Sequence, residues 1–431
     1  MKALNSVVRG QVWSPGDADF DAARRPWNLA VDQPVTAVVE AADADDVAEL
    51  IRHARATGLT VATQPNGHGA TGRTEGTVLL RTRRLDTLEI DPVARRARIG
   101  AGVPSGRVQA AAAPHGLTGL PGSSPVVSVA GVALGGGLSW FGRAYGWVSD
   151  SVTAFDIVDA EGVRRRITAD SDADLFWALR GAGGDFAVVT GLELALHPAP
   201  ELFGGRMLWP AQAAPAVLAA FRRIVADAPD ELTVWLDLLH FPGAAPMVAV
   251  DATYLGGEAA ARDLLAPLDA VAGPLSDSRR VRSVDELGEI TGEPTDPSPG
   301  LPHAALLTTL DDGAVRTLLD TPVAPMLSVQ VRHLGGALAG PSDSPHGPLT
   351  EPFALSLFGV PSDPAIAEAV VARQRALVAA LPTSGRKPFT FLGRGDTAAD
   401  AFGPEVMGRL RDIKKDRDPH RVFRSNFPVG D

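Results

Sequence analysis

Cysteine is absent from all 431 residues of the chain, and its absence excludes several kinds of chemistry. A chain without thiols forms no disulfides, offers no thiolate ligands to a metal and makes no cysteinyl bond to a cofactor. Tyrosine is scarce as well, since the chain contains only Tyr145 and Tyr254. A phenolic general base, if the protein uses one, therefore has only two candidate positions.

Long apolar runs are also missing from the sequence. No stretch approaches the run of about 18 apolar residues that a membrane-spanning helix needs. Residues 1–10, MKALNSVVRG, lack the apolar segment of a secretory signal, so we expect a cytoplasmic protein. The net charge is −11 and the Lys and Arg residues are scattered, so neither a nucleic acid nor a membrane is expected as a partner. The oligomeric state is left open.

The most informative segment present is residues 64–72, QPNGHGATG, which sets His68 among glycines. Gly67, Gly69 and Gly72 satisfy the spelling G-x-G-x-x-G, but the residues that follow favour a strand, whereas that dinucleotide fingerprint requires a helix. A glycine-rich turn between strands can point several backbone N–H groups at a pyrophosphate, with His68 beside the ligand. The alternative is a tight loop whose histidine is merely solvated.

Periodicity divides the chain into two regions. Residues 35–63 predict strand, helix and strand, residues 104–116 a helix, and residues 155–168 a hairpin with its turn at Glu161-Gly162. The stretch 119–152 carries so much glycine that we expect a loop alongside an extended ligand. From about residue 200 to 385, strands alternate with Ala-rich helices, which favours an antiparallel sheet with helices on one face. The predicted strands are 232–241, 247–255, 328–336 and 353–360, and the clearest helix is 364–381.

Several ordered segments carry a family pattern: GHG at 67–69, ALGGGLSWFGRAYG at 133–146, DLFWALRGAGGDFAVVTGLELALHP at 174–198, VRHLGGA at 331–337 and DPHRVFRSN at 418–426. With them the chain resembles the berberine-bridge-enzyme-like FAD-linked oxidases of the vanillyl-alcohol-oxidase superfamily. The resemblance implies an α+β fold of two domains. A PCMH-type FAD-binding domain would span residues 1–199, a substrate domain 200–385, and a C-terminal segment 386–431 would return to the first domain.

The resemblance also implies the cofactor and its contacts. In this family the histidine of the first segment carries FAD on its 8α-methyl group, a role that falls to His68. Many relatives add a second link through a Cys-Pro pair; here the pair is Ser124-Pro125, so the flavin would be monocovalent. The positions that match the family's remaining FAD contacts are Asn66, Gly67, Gly69, Ala70, Ser124, Ser128, Val129, Gly131, Val188 at the adenine and Asn426 in the tail. For each glycine, a simple turn requirement is the alternative. No metal site is expected.

The family's usual catalytic base is missing. Many relatives carry Tyr-x-Asn near the C-terminus, where this chain has Pro388 and Thr390. By strand alternation, Asp237 lies among apolar and aromatic residues, where burial would raise its pKa towards the range of a general base. The alternative is an aspartate paired with an arginine or hydrogen-bonded across the sheet. Gln330 and Arg332 share one strand face. Gln330 could orient a substrate hydroxyl, and Arg332 could bind an anionic substrate group or stabilise the negative charge of the reduced flavin. The alternative for both residues is a structural role in the sheet.

The function implied is an FAD-dependent oxidoreductase, an enzyme that removes hydride from a C–H bond of a small organic substrate. An alcohol, a sugar or an intermediate of secondary metabolism all fit, with O2 as the electron acceptor. Two alternatives stay open. One is a flavin dehydrogenase with another acceptor or a flavin enzyme without net redox chemistry; the other is a catalytically silent flavin-fold binding protein.

Overall fold

A computed structural model describes residues 4–199 and 201–430 of the chain. The first region contains a four-stranded sheet of order β1-β2-β4-β3. Its elements are β1 (Gln11–Trp13), α1 (Phe20–Arg24), β2 (Ala37–Glu40), α2 (Ala44–Thr57), β3 (Thr60–Gln64) and β4 (Thr77–Arg81). The predicted strand, helix and strand are confirmed. Asp43 caps α2 by accepting from the N–H groups of Asp45 and Asp46, and Gly58 ends it in the left-handed conformation.

A second sheet of five strands has the order β5-β6-β10-β8-β9 and shares a hydrophobic core with the first. Its strands and the adjoining elements are β5 (Leu88–Asp91), β6 (Arg96–Gly100), α3 (Ser105–Ala112), β7 (Leu117–Thr118), α4 (Val129–Leu134), α5 (Gly142–Tyr145), β8 (Val152–Val158), β9 (Arg164–Ile167), α6 (Ala173–Leu179), β10 (Val188–Ala195) and β11 (His197–Pro198). The predicted hairpin is confirmed as β8 and β9. The prediction of a loop throughout 119–152 is wrong, because α4 and α5 form within it. Ser128 caps α4 by accepting from the Gly131 N–H, which compensates for the glycine inside this short helix.

The third sheet is antiparallel and has the order β15-β12-β14-β13-β18-β19-β17, with β16 paired to β12. Its elements are β12 (Phe203–Pro210), α7 (Ala214–Ala226), β13 (Leu232–Leu239), β14 (Met247–Tyr254), α8 (Glu258–Asp269), β15 (Ser276–Asp277), β16 (Arg280–Val281), α9 (Gly288–Thr291), β17 (Leu301–Leu307), α10 (Asp312–Asp320), β18 (Ser328–His333), β19 (Phe353–Gly359) and α11 (Pro364–Ala380). The predicted antiparallel sheet with helices on one face is observed. The domain limits at residues 199 and 385 stay predictions.

The two faces of this sheet differ in chemistry. Val234, Leu236 and Val250 point to one face, where they form a core with apolar residues of α7, α8, α10 and α11. The opposite face, called here the polar face, carries Trp235 beside Arg332 and Asp237 beside Gln330. Since successive side chains of a strand alternate between faces, the buried core fixes which residues line the polar face.

The chain returns to the first region at its C-terminal end through α12 (Pro404–Arg417). The N–H of Val61 donates to the Val422 carbonyl at 2.7 Å, and the N–H of Arg424 donates back to the Val61 carbonyl at 3.0 Å. The tail thereby extends the edge of β3, the strand that leads into the His68 loop. Within the described residues, no helix is long and apolar enough to cross a membrane.

Candidate active site

Two contacts hold the His68 ring in the loop between β3 and β4. Its Nδ1 lies 3.0 Å from Asn66 Oδ1, and its ring stacks on Trp27 with 4.2 Å between ring centres. The Asn66 Nδ2 group donates to the Val126 carbonyl at 2.9 Å. That bond fixes which end of the Asn66 amide faces the imidazole and fastens this loop to the glycine-rich stretch that follows residue 119.

The electrostatic setting of His68 leaves one ring nitrogen available. Burial lowers the imidazole pKa to about 4, so the ring is neutral at pH 7. Because Asn66 Oδ1 accepts, the proton of the neutral ring sits on Nδ1 and the lone pair on Nε2. Nε2 is buried and finds no hydrogen-bond partner in residues 4–199 or 201–430. A buried nitrogen that carries a lone pair and has no protein partner in these residues, in a glycine-rich loop, has the properties of a nucleophile that bonds to an atom of a ligand.

A second buried polar atom lies in the stretch fastened to this loop. The Ser124 carbonyl accepts from Ser105 Oγ at 3.1 Å, which pins the backbone, while Ser124 Oγ is buried with no partner in the part of the chain described. Two unsatisfied groups from adjoining loops point to a polar molecule that the protein binds there.

The other predicted contacts of this stretch are largely engaged with protein. Ser128 Oγ donates to the Ala101 carbonyl at 2.9 Å and accepts from the Gly131 N–H at 3.2 Å. The Val129 N–H donates to the Val103 carbonyl at 3.1 Å. These bonds position the start of α4, and any contact of these residues with a cofactor would use other groups than those already bonded.

The C-terminal tail meets the His68 loop directly. Thr71 Oγ1 donates to the Asn426 carbonyl at 3.4 Å, and Asn426 Nδ2 lies 4.0 Å from the position that a Cβ on Gly69 would take. The Ala70 N–H donates to the Gly67 carbonyl at 3.3 Å, which closes the turn. Val188 begins β10, the strand against which α4 packs. The structure therefore brings the predicted FAD contacts from four separate segments into one region.

Asp237 lies on the polar face in a network of four side chains. Its Oδ2 accepts from Gln330 Nε2 at 2.9 Å and from Arg206 Nη2 at 3.2 Å. Arg206 also makes two bonds to Asp251, at 2.6 and 2.7 Å. Burial, followed by the negative charge of Asp251, raises the pKa of Asp237 to about 7. The arginine pairing and the cross-sheet hydrogen bond that the sequence left as an alternative are both present, and so is the raised pKa.

Two members of this network escaped prediction from the sequence. Arg206 lies on β12, a strand that the sequence did not predict. Asp251 was within a predicted strand, and its alternation with apolar neighbours in MVAVDATYL was an available signal for a buried polar group.

An aromatic column joins the polar face to the first region. Trp140, in the family-like stretch 133–146, stacks on Trp235 with 3.5 Å between ring centres. The Arg332 guanidinium lies 4.1 Å from the Trp235 ring centre and 5.8 Å from that of Phe391. A cavity of about 10 Å³, the size of one water, is lined by Thr233, Trp235 and Arg332 among others. The sheet therefore meets the stretch 133–146 at Trp235 and Arg332.

Residues 388–391, which replace the family's Tyr-x-Asn, lie beside the second glycine-rich stretch and contain no side chain that could act as a general base. The Thr390 Cα lies 3.4 Å from the position that a Cβ on Gly135 would take, so residues 388–391 cover the second glycine-rich stretch. Neither tyrosine substitutes for the missing one. Tyr145 Oη donates to the Pro198 carbonyl at 2.9 Å, and Tyr254 packs against the core on the helix side of the sheet. No set of three or more potential metal-ligating His, Asp or Glu side chains occurs in the ranges 4–199 and 201–430.

Comparison with known proteins agrees with this geometry. Residues 35–168 match the FAD binding domain family model. The chain is 30% identical to (R)-6-hydroxynicotine oxidase of Paenarthrobacter nicotinovorans, over 98% of this chain and 97% of that protein. The crystal structure of 6-hydroxy-D-nicotine oxidase from Arthrobacter nicotinovorans superposes with a TM-score of 0.85, 27% identity and 97% coverage of both chains.

More distant structures share the fold. Glucooligosaccharide oxidase from Acremonium strictum superposes with a TM-score of 0.84 at 20% identity, covering 99% of this chain and 98% of its own. The BBE-like 1 protein of Physcomitrella patens does so with a TM-score of 0.87 at 17% identity, over 99% and 98%.

Fold and site together define an FAD-dependent oxidoreductase with a two-domain α+β architecture. Within that class the chain belongs to the family of PCMH-type, berberine-bridge-enzyme-like FAD-linked oxidases that contains (R)-6-hydroxynicotine oxidase. The cofactor that the family model assigns, FAD, fits the unsatisfied nitrogen of His68 and the unsatisfied hydroxyl of Ser124.

Proposed function

We propose that the protein is an oxidase that holds FAD by one covalent bond, from the flavin 8α carbon to Nε2 of His68. The observation that carries this proposal is the buried Nε2 of a neutral imidazole, which has no hydrogen-bond partner among the described residues. Asn66 and Trp27 hold the ring, so that Nε2 is presented in one direction. Bound FAD supplies the hydride acceptor for a C–H bond of a small organic substrate, and O2 is the proposed final oxidant.

A single bond is proposed because the position used for a second bond carries a hydroxyl. Glucooligosaccharide oxidase from Acremonium strictum, by contrast, has a 6-S-cysteinyl, 8α-N1-histidyl FAD. Here Ser124 takes the place of the cysteine in the Cys-Pro pair, and the chain contains no cysteine. The Ser124 hydroxyl is then free to donate a hydrogen bond to the flavin, which accounts for its lack of a protein partner among the described residues.

We propose Asp237 as the group that takes up the proton released with the hydride. Its carboxyl shares the polar face with Trp235 and Arg332, and its pKa of about 7 allows it to accept a proton near neutral pH. Arg206 is paired with Asp251, so the network retains this ion pair whether the Asp237 carboxyl is protonated or ionised. Gln330 connects Asp237 to Arg332 through its amide.

Anaerobic rapid mixing tests this function. A panel of alcohols, sugars and (R)-6-hydroxynicotine, the compound after which the relative is named, is screened for bleaching of the flavin absorbance. With a bleaching substrate, the reduction rate should rise with pH through about 7 in the wild type, and Asp237→Asn should be slow and lose this dependence. Asp263→Asn, an exposed change on α8, is the matched control.

The outcomes separate the possible roles. An Asp237→Asn protein that binds substrate weakly but keeps the pH profile would assign Asp237 to positioning through Gln330 and would contradict its role as the base. Oxygen consumption at the rate of turnover supports an oxidase, whereas turnover only with an artificial dye would establish a dehydrogenase. Bound flavin that no compound bleaches would contradict the catalytic proposal.

A further inference from the structure

The two arginines of the polar face differ in their electrostatic surroundings. Arg206 is neutralised by two bonds to Asp251 and by its contact with Asp237. Arg332 forms no ion pair within residues 4–199 and 201–430; its Nε donates to Gln330 Oε1. Among the described residues, this cation, which lies where the sheet meets the stretch 133–146, therefore has no countercharge in contact with it.

The Arg332 side chain is held in a fixed orientation. Asp237 accepts from the Gln330 amide nitrogen at 2.9 Å, so the amide oxygen must face Arg332 Nε. The rings of Trp235 and Phe391 lie 4.1 and 5.8 Å from the guanidinium carbon. These contacts engage the Nε edge and the flat face of the guanidinium, and no hydrogen bond from residues 4–199 or 201–430 engages its two terminal Nη groups.

The charge of Arg332 calls for such a partner. Burial lowers the pKa of the guanidinium, and the carboxylates of Glu293, Asp237 and Asp251 oppose this shift only from beyond contact distance. A desolvated cation without a paired anion is costly, whereas a guanidinium with its Nη edge exposed to a ligand matches the two oxygens of a carboxylate.

We propose that Arg332 binds a carboxylate of the substrate, so that the enzyme acts on small organic acids. This inference rests on the proposed function, because it places the acid group at the junction between the polar face and the flavin loops. Gln330 and Asp237 act as positioning residues for the guanidinium, in addition to any role in proton transfer.

Benzoate and benzamide are suitable probes, because they have nearly the same shape and differ in charge. The holoenzyme is titrated with each while the flavin absorbance and the tryptophan fluorescence are followed, and neither readout needs turnover. Wild-type protein should bind benzoate about tenfold to a hundredfold more tightly than benzamide. Arg332→Gln should lose this preference, Arg332→Lys should retain part of it, and Arg316→Gln, an exposed change on α10, should leave it intact.

Equal affinity for the two probes in the wild type, or unchanged benzoate binding in a folded Arg332→Gln protein, would overturn the proposal. A lowered flavin reduction potential in Arg332→Gln with unchanged benzoate affinity would also overturn it, by assigning the charge to the reduced flavin. Failure of the proposed function is visible separately. A protein purified without flavin, or with flavin that no substrate bleaches, would contradict that function, while the fluorescence titration would still report on Arg332.

Discussion

Gly67 offers a sharp test of how the His68 loop is built. Its φ is +80°, and a Cβ at this position would lie 2.8 Å from Pro26 Cβ and 2.9 Å from Gln64 Oε1. Pro26 directly precedes Trp27, the ring that stacks on His68. Gly67→Ala therefore introduces backbone strain and pushes on the segment that orients the imidazole.

The size of the effect follows from these two contributions. A left-handed conformation in a residue with a Cβ costs about 1–2 kcal/mol. Overpacking against a neighbour that cannot move freely typically costs a further ~1–3 kcal/mol. We expect Gly67→Ala to lower the free energy of unfolding by about 2–5 kcal/mol and to reduce the fraction of protein that carries acid-stable flavin.

Two nearby glycines provide matched controls. Gly76 has a φ of +74° with nothing within 4 Å of its Cβ position, so Gly76→Ala should show only the backbone contribution. Gly69 lacks a positive φ and its nearest atom is Asn426 Nδ2 at 4.0 Å, so Gly69→Ala should barely change the stability of the flavin-free protein. Denaturant unfolding and the acid-stable flavin content are measured for all three. A Gly67→Ala protein as stable as Gly76→Ala, with full flavin content, would refute the reasoning about Pro26.

Two further predictions concern the tail and acid stability. Asp185 accepts hydrogen bonds from the N–H groups of Ser425 and Val429, both at 3.1 Å. Asp185→Asn should therefore lower the free energy of unfolding by about 1–3 kcal/mol and speed amide hydrogen exchange in residues 425–429. Unchanged exchange in these residues would contradict this role of Asp185. Burial lowers the pKa of His197 to about 4, so the unfolded chain takes up a proton below pH 6.5 that the folded protein does not. Stability should therefore fall between about pH 6.5 and 4, by about 2 kcal/mol at pH 5 for this imidazole. His197→Gln should reduce the difference between pH 7 and pH 5 unfolding by that amount, and an equal pH dependence in both proteins would contradict the assignment.

Local signals made the His68 loop predictable from the sequence. The apolar strand before residue 64 and the β-branched run after residue 76 bracket a glycine-rich segment, and the strands end and begin at Gln64 and Thr77. The helix before it was equally clear, because Asp43 and Gly58 are strong start and stop signals. The matched segments of the family pattern then supplied the role proposed for the histidine.

Elements that depend on partners distant in the chain were harder to predict. The β12 strand contains Gly204 and Gly205 and β17 contains Pro302, all of which weaken strand propensity. Their neighbours in the sheet stabilise them through pairing, β12 with β14 and β17 with β19. Propensity alone gave no sign of this pairing.

The same limit applies to the network around Asp237. Alternation correctly placed Asp237 with Trp235 on one face of β13, and Gln330 with Arg332 on one face of β18; in the sheet these two faces form the polar face. The order of strands across the sheet decides that Arg206 reaches Asp237, and this order depends on contacts far apart in sequence. The stacking of Trp27 on His68, and the lack of a partner for Nε2 among the described residues, likewise arise only when separate segments meet.

The central claim is that His68 holds FAD by one covalent bond. Its most direct test is mass spectrometry of the peptide that contains His68, after acid precipitation of the purified protein. We expect a yellow pellet, a His68 peptide heavier by the mass of FAD, and complete release of flavin by acid in His68→Ala. Flavin released by acid from the wild type, or flavin attached to a different residue, would contradict the claim.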